Sequence, residues 1–188
     1  MTTPDPTRLY DPDEAVIERV QRGDKEAFRI LVTRYELPVF RLLRILAPRH
    51  VAVQDLAQEV FLTAFLKLNY FDATRGRFSS WLLTIAKHQA LNARRKRVVL
   101  AWDELADTAT QSTPEDELDR QQIERRLDDT LAGLPDEQRT AFILAEIVGL
   151  PAEQIAEIEQ SPSPTIRSRI SRAKAALLAA ISTPKGEP

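Results

Sequence analysis

Apolar residues recur every three or four positions along nearly the whole chain, which is the period of an α-helix that buries one face. In the first hundred residues the pattern predicts four helices, with stripes that run through Val16, Leu31, Leu56 and Leu82. Pro38 interrupts the second stripe and predicts a kink or a restart there. Because most of the large apolar side chains lie in these four helices, we expect one shared core.

Shorter helices follow in the C-terminal part of the chain. One stripe includes Leu127 and Leu131, and Pro135 opens the next helix. A short helix then begins at Pro151, a turn follows over 160–164, and a last helix runs over about 165–181. A short helix, a tight turn and a second helix with a polar outer side form the helix-turn-helix pattern.

An acidic segment separates the two helical parts. Residues 101–117 contain six acids, no base and few large apolar side chains, so this segment cannot bury enough surface to fold alone. The sequence therefore predicts an all-α protein of two small helical domains joined by a flexible acidic linker. The expected bounds are 1–10 for a flexible N-terminus, 11–100 for the first domain, 101–117 for the linker, 118–183 for the helix-turn-helix domain and 184–188 for a tail.

The net charge of -2 hides a strong segregation of charge. No acid occurs over 73–102 or over 160–184, and both segments carry several lysines and arginines. Two basic segments on either side of an acidic one indicate two contacts with a polyanion. Chance clustering of charges on solvated helices is the alternative.

Composition argues against several other classes of protein. The chain has no cysteine, and its two histidines, His50 and His88, lie far apart and outside any metal-ligand spacing. We expect no metal, no cofactor and no catalytic site. No apolar run approaches the roughly 20 residues that span a bilayer, and the N-terminus does not resemble a secretory signal. A cytoplasmic protein without membrane insertion is the expectation.

The last helix carries the candidate duplex-binding residues. The major groove admits one α-helix, whose N-terminal residues reach the base edges, and arginine pairs well with guanine and phosphate there. A solvated basic helix end is the alternative. The candidates in its first two turns are Thr165, Arg167, Ser168, Arg169 and Arg172.

Aromatic residues beside the first basic segment suggest a site for single-stranded nucleic acid. Tyr70, Phe71, Phe78 and Trp81 lie next to the cationic run, and unstacked bases bind by stacking on aromatic rings beside a positive groove. The alternative, that Phe78 and Trp81 belong to the core, is the stronger one for those two rings.

Four motifs in order resemble one known family. They are QDLAQEVFLTAF (54–65), FSSWLLTIAKHQALNARRKR (78–97), LPDEQRTAFILAEIVGL (134–150) and IAEIEQSPSPTIRSRISRAKAAL (155–177). Together they cover both predicted domains and are similar to the extracytoplasmic-function (group IV) RNA polymerase sigma factors.

This resemblance implies a role for each segment. The partners that it implies are core RNA polymerase, contacted at the beta-prime clamp and the beta flap, promoter DNA and an anti-sigma factor, while the acidic linker would enter the RNA exit path. The implied contacts with core polymerase are Gln54, Asp55, Leu56, Gln58, Glu59 and Phe61. The implied contacts with the minus-ten element are Asn69, Tyr70, Phe71, Arg75, Arg77, Trp81, Lys87, His88, Asn92, Arg94 and Arg95. The implied contacts with the minus-thirty-five element are Thr165, Arg167, Ser168, Arg169, Arg172 and Lys174.

The chain departs from the family pattern at four positions. His88 and Asn92 stand where the family usually has Asn and Asp, which affects base choice at the minus-ten element. Gln160 and Pro164 replace glycines of the helix-turn-helix, which bears on the geometry of the turn.

Three other classes of protein are the alternatives to a sigma factor. A helix-turn-helix repressor or activator would need an effector cavity or a dimerisation face, and neither is evident in the sequence. An enzyme, such as a helical hydrolase, would need a metal or nucleophile cluster that the sequence lacks. A helical adaptor would not bind DNA.

Overall fold

The computed structural model describes residues 11–48, 51–100 and 125–182, with the backbone alone for 96–100. Every regular element in these residues is helical, which confirms the all-α prediction. The chain divides into two compact units, Met1–Lys96 and Arg97–Pro188. The predicted linker over 101–117 and both terminal segments lie outside the described residues, and their domain bounds stay predictions.

Four α-helices form the first unit. Two short 3-10 turns, Lys25–Ala27 and Leu68–Tyr70, connect them to one another and to the loop at 71–77. Fully buried side chains from all four helices, including Leu42, Val60 and Leu82, make the core. The helices are α1 (Asp13–Gln21), α2 (Phe28–Leu46), α3 (Val53–Lys67) and α4 (Phe78–Leu100).

Pro38 does not divide the second helix. The helix α2 is continuous from Phe28 to Leu46 with Pro38 inside it, so the expected restart is absent. Proline removes one backbone hydrogen bond of a helix. The fully buried Leu31 and Val39 on either side of it show that tertiary packing holds the helix together across this position.

A polar junction connects the start of α1 to α2. The Asp13 carboxylate accepts hydrogen bonds from the Arg34 guanidinium and from the Tyr35 hydroxyl. Arg34 also donates to the Asp11 carbonyl at 2.8 Å. Burial, followed by the hydrogen bond to Asp13, raises the pKa of Tyr35 far above its ordinary value. The tyrosine therefore remains a neutral donor throughout the physiological pH range.

Four α-helices also appear in the described part of the second unit. Residues 125–133 are helical and belong to α5. A π-helical turn, Ile143–Ile147, follows α6 directly. Both α6 and α7 pack on α8, and Ile155, Ile158 and Ile166 are buried between these helices. The remaining helices are α6 (Asp136–Phe142), α7 (Ala152–Glu159) and α8 (Ser163–Ser182).

A buried arginine joins α5 to α6. Arg139 is 4% exposed, and its Nη1 donates to the carbonyl oxygens of Leu131 at 3.4 Å and Ala132 at 3.3 Å. Its Nη2 donates to the Asp136 carboxylate. A cation suits the C-terminal end of α5, where unpaired carbonyls concentrate negative partial charge. This basic residue therefore stabilises the fold and is not part of a nucleic-acid surface.

The predicted helix-turn-helix is present as α7, the turn 160–162 and α8. Gln160 adopts the left-handed conformation, with φ 49° and ψ 43°, and the Ser161 amide donates to the Ala156 carbonyl at 3.1 Å. The turn thus contains a left-handed residue, the conformation that commonly ends a helix, without a glycine at this position. The helix α8 begins at Ser163, two residues before the expected start, and Pro164 lies in its first turn, where no backbone donor is needed.

The left-handed residue gives a stability prediction. Because a side chain is strained in this conformation, Gln160→Gly is expected to raise the free energy of unfolding of the second unit by about 0.5–1 kcal/mol. Amide hydrogen exchange of α7 and α8 in the full chain measures this. Ala175→Gly, at an exposed helical position of α8, is the matched control and should lower the same quantity by about 1 kcal/mol. Equal losses from both variants would contradict the prediction.

Candidate nucleic-acid interface

The outer side of α8 carries an exposed polar strip. Thr165, Ser168 and Arg172 are all exposed, and their separations of three and four residues place them on one face of the helix. Their positions in the first half of α8 are those from which a recognition helix reaches base edges. We call Thr165, Ser168 and Arg172 the α8 strip.

Two further cations of α8 are paired with carboxylates of the same unit. Arg167 Nη2 lies 2.7 Å from Glu153 Oε1 at the start of α7, and both side chains are more than half exposed. Lys174 Nζ lies 2.9 Å from Glu146 Oε1 on the π-helical turn. Solvent-exposed ion pairs of this kind contribute little stability, so DNA phosphate can displace the carboxylates. Both cations remain candidates for the interface.

Arg169 points to the turn. Its Nη1 lies 3.6 Å from Glu159 Oε2 and 3.3 Å from Ser161 Oγ, and its side chain is only 21% exposed. The sequence spacing suggests that Arg169 shares the outward face of Arg172. The structure separates the two, because Arg169 lies against the end of α7.

An aromatic cluster lies behind the loop of the first unit. The Phe71 ring centroid is 5.6 Å from that of Phe78 and 5.4 Å from that of Trp81, and Tyr35 lies 5.6 Å from Phe78. Phe78 is buried, while Phe71 and Trp81 are half-buried. The expected core role of Phe78 is correct. The rings of Phe71 and Trp81 already pack against other rings and are half-buried, so they are better placed to anchor the loop than to stack on a base.

Tyr70 is the exposed ring of this region. Its side chain is 85% exposed, and its neighbour Asn69 is exposed as well. The turn that carries them is anchored, because Leu68 is buried and its carbonyl accepts a hydrogen bond from Gln21 Nε2 at 3.0 Å. An aromatic ring held on a fixed turn can stack on an unpaired base with little loss of conformational entropy.

The loop over 71–77 combines an ordered turn with exposed positive charge. Asp72 accepts hydrogen bonds from the Thr74 hydroxyl at 2.6 Å and from the Thr74 amide at 2.9 Å. These bonds lower the pKa of Asp72 and keep it ionised. Arg75 and Arg77 are exposed on the same loop, where they can contact phosphates.

One face of α4 continues this surface. Trp81, His88, Asn92 and Arg95 follow one another at separations of seven, four and three residues, which places them on one side of the helix. The last three are exposed. Lys87 and Arg94, also predicted to contact the minus-ten element, are half-buried on a different side and have contacts within the protein.

The polar residues of α3 form an exposed face as the resemblance implies. Gln54, Asp55, Gln58 and Glu59 are exposed, and Phe61 is half-buried. Leu56 is different, since it is 6% exposed and belongs to the core of the first unit. We correct its assignment from a polymerase contact to a packing residue of α3.

Two leucines outside the predicted set extend the same face. Leu62 is 58% exposed and Leu66 is 66% exposed, and they follow Asp55 and Glu59 at helical spacing. Exposed leucines in adjacent turns are a common mark of a protein interface. Their position outside the apolar stripe of α3 was a signal available in the sequence.

Comparison with known proteins decides the family. The family described as Sigma-70 region 2 matches residues 31–98, and Sigma-70, region 4 matches residues 124–177. The extracytoplasmic-function (ECF) RNA polymerase sigma-E factor of Haemophilus influenzae is 40% identical over 174 residues, which cover 86% of this chain and 91% of that protein. The chain belongs to the ECF RNA polymerase sigma factors. The RNA polymerase sigma-H factor of Pseudomonas aeruginosa is 37% identical over 179 residues, which cover 89% of this sigma factor and 92% of that one.

Solved structures agree with this assignment. CnrH, solved in complex with the cytosolic domain of CnrY, matches with a TM-score of 0.68 at 25% identity, covering 90% of this chain and 96% of that one. RpoE of Bartonella quintana, solved with the anti-sigma factor NepR, has the same fold, with a TM-score of 0.60 at 24% identity and coverage of 82% and 98%. The family matches and the sequence relatives show that this sigma factor directs transcription from promoters, and the solved structures share its fold.

Within the described ranges, no group of His, Asp and Glu side chains could hold a metal ion. None of the helices described here is long and apolar enough to cross a membrane.

The two rings at the loop should respond differently to truncation. Tyr70→Ala is expected to change the free energy of unfolding by less than about 0.5 kcal/mol, because the ring is exposed, yet to weaken promoter opening. Phe71→Ala, the matched control, should lower the free energy of unfolding by about 2 kcal/mol, since it removes a ring packed against two others. Urea unfolding followed by tryptophan fluorescence and permanganate footprinting of the promoter measure the two effects. Equal destabilisation by both variants would contradict this division of roles.

Proposed function

We propose that the two units of this sigma factor perform separate parts of promoter recognition. The first domain, over 11–100, docks on core RNA polymerase and captures the opened minus-ten element. The second domain, over 118–183, binds the duplex of the minus-thirty-five element. The segment 101–117 connects them along the RNA exit path. RNA synthesis is the chemistry of the polymerase, and the sigma factor makes and breaks no bond itself.

The surface around Tyr70 is the proposed minus-ten site. Tyr70 stacks on an unpaired base, while Asn69 and the exposed loop arginines contact the flanking bases and backbone. Stacking offsets the cost of unstacking the duplex, which is a few kcal/mol for each step. His88 and Asn92, exposed on α4 and following the loop arginines in sequence, supply hydrogen bonds whose base preference differs from that of the usual family residues.

The α8 strip is the proposed reader of the minus-thirty-five element. Arg172 reaches guanine or phosphate, and Thr165 and Ser168 supply hydroxyl groups that bind either bases or backbone. Arg167 and Lys174 add phosphate contacts once DNA displaces their carboxylate partners. The observation that carries the proposal is this exposed polar strip on the second helix of a helix-turn-helix, in a chain that also carries region 2 of the same family.

The outward face of α3 is the proposed contact with the beta-prime clamp. Asp55 and Glu59 provide negative charge, and Leu62 and Leu66 provide apolar surface next to it. Exposed apolar surface beside charged side chains is a combination found at many protein interfaces. The second domain is the proposed contact with the beta flap.

An anti-sigma partner is also proposed. CnrH and the Bartonella RpoE were both solved with a partner protein, and the latter partner is described as an anti-sigma factor. A protein that covers the exposed leucines of α3 and the cationic surfaces would prevent polymerase and DNA from binding.

Core RNA polymerase and promoter DNA, the two proposed binding partners of this sigma factor, lie in the cytoplasm. The cytoplasm is therefore its proposed location.

Run-off transcription tests the proposal. Core polymerase supplied with the full chain should initiate at defined sites on genomic fragments, whereas a helix-turn-helix repressor would bind duplex DNA alone and confer no start-site selection. Arg172→Ala is expected to reduce use of the minus-thirty-five element about tenfold. It should also lower the salt slope of DNA binding by about 0.9 for each phosphate that is no longer neutralised. Arg125→Ala, at an exposed position of α5, is the matched control and should leave both unchanged. Promoter use that is the same in both variants would refute the recognition-helix assignment.

A charge reversal tests the polymerase contact. Asp55→Arg is expected to weaken the affinity for core polymerase about tenfold, because it places a positive charge in a face that depends on negative ones. Native pull-down with purified core polymerase at two salt concentrations measures this, and the difference should shrink as salt rises. Glu14→Arg, an exposed reversal on α1, is the control and should bind as the wild type does. Equal binding by both variants would place the contact elsewhere.

A further inference from the structure

A partly buried ion pair joins the end of α7 to the second turn of α8. Arg169 Nη1 lies 3.6 Å from Glu159 Oε2, and only 6% of the Glu159 side chain and 21% of the Arg169 side chain are exposed. Arg169 also donates to Ser161 Oγ at 3.3 Å, and the Ser161 hydroxyl in turn donates to the Glu159 carbonyl at 3.2 Å. One guanidinium therefore contacts the last residue of α7 and the turn that follows it.

A carboxylate at the position of Glu159 needs a nearby cation. Burial removes its hydration, and the C-terminal end of α7 adds the negative partial charge of unpaired carbonyls. Ionised Glu159 therefore favours an α8 orientation in which Arg169 lies against it. Since Gln160 between them is in the strained left-handed conformation, the ion pair also counteracts relaxation of the turn.

The other arginines of α8 are more exposed to solvent than Arg169 is. The Arg167 side chain is 62% exposed and Arg172 is exposed, whereas the guanidinium of Arg169 is directed at the protein. An arginine that reads guanine needs its planar fork free to approach the base edge. Arg169 would have to leave both Glu159 and Ser161 to do so.

We infer that Arg169 is a positioning residue for minus-thirty-five selection, which holds the turn and α8 in register through Glu159 and Ser161, and is not itself a DNA contact. The inference rests on the proposed function of α8 as the recognition helix. It assigns Glu159, an acid on the interior side of the turn, a role in promoter selectivity that its charge alone would not suggest.

Removal of the acid separates this role from direct contact with DNA. Holoenzyme is assembled from core polymerase and the full chain and is given duplex templates with a randomised minus-thirty-five element. The measured quantity is the enrichment of the preferred minus-thirty-five element over scrambled sequence at several salt concentrations. Arg169→Gln and Glu159→Gln are each expected to lower this enrichment about tenfold. The double variant should be no worse than either single one, because both remove the same interaction. The salt slope should stay at the wild-type value in all three.

Direct contact of Arg169 with DNA would give a different pattern of enrichment and salt slope. If Arg169 contacts DNA, Glu159→Gln frees it and leaves or raises the enrichment, while Arg169→Gln lowers the salt slope by about 0.9. Either observation would overturn the inference, and so would full selectivity in both neutral variants. Arg172→Gln is the internal reference. If Arg172→Gln also leaves the enrichment unchanged, the assignment of α8 as the recognition helix fails. If Arg172→Gln lowers the enrichment and Glu159→Gln does not, only the positioning role of Arg169 is refuted.

A conservative variant decides the question even if the neutral variants unfold. Arg169→Lys keeps a cation that can reach Glu159, so a positioning role predicts enrichment within about threefold of wild type and an unchanged base preference. A bidentate base contact cannot be replaced by lysine, and its loss would change the preferred base at one position of the selected element. That change would overturn the inference.

Discussion

The burial of one narrow apolar stripe on each helix is the constraint on which both units depend. A helix of eight residues such as α7 is not stable alone in water, and it persists because Ile155 and Ile158 are buried in the second unit. Burial also sets the rotation of each helix about its axis. In α8 the buried Ile166 and Ala173 direct the α8 strip outward. The surface proposed to read DNA is therefore a consequence of how the core is packed.

Positive charge in this sigma factor serves two purposes that composition does not distinguish. Arg139 is buried and caps the end of α5, and Arg169 lies against the end of α7. Both neutralise helix C-termini inside the second unit. Arg172 is exposed, and Arg75 and Arg77 are exposed on the loop of the first unit. Because Arg169 is directed at the protein, the basic segment over 160–184 is only partly available for a polyanion, while Arg139 lies outside both basic segments.

Sequence reasoning succeeded where the signal was local or repeated. The helical period, the short helix before the turn and the family motifs led to the correct fold and family. A kink or a restart was predicted at Pro38, and the restart is absent because packing outweighed a local helix breaker. The family motif placed Leu56 at an interface, whereas its burial places it in the core, as its apolar character indicates. Leu62 and Leu66 were missed although the sequence shows that they lie outside the apolar stripe of α3, because the polymerase contacts were taken from the family resemblance, which implied residues only as far as Phe61.

By itself the sequence determined that the chain is helical, that its charges are segregated, and that two family regions follow one another, because these properties are carried by neighbouring residues and their spacing. Only the tertiary structure decided that Phe71 packs on Phe78 and that Arg169 pairs with Glu159. The direction of a side chain depends on what lies opposite it, and that neighbour comes from another helix or from across a turn. Tyr70 remains exposed on its anchored turn for the same reason, since none of the helices described in the first unit covers it.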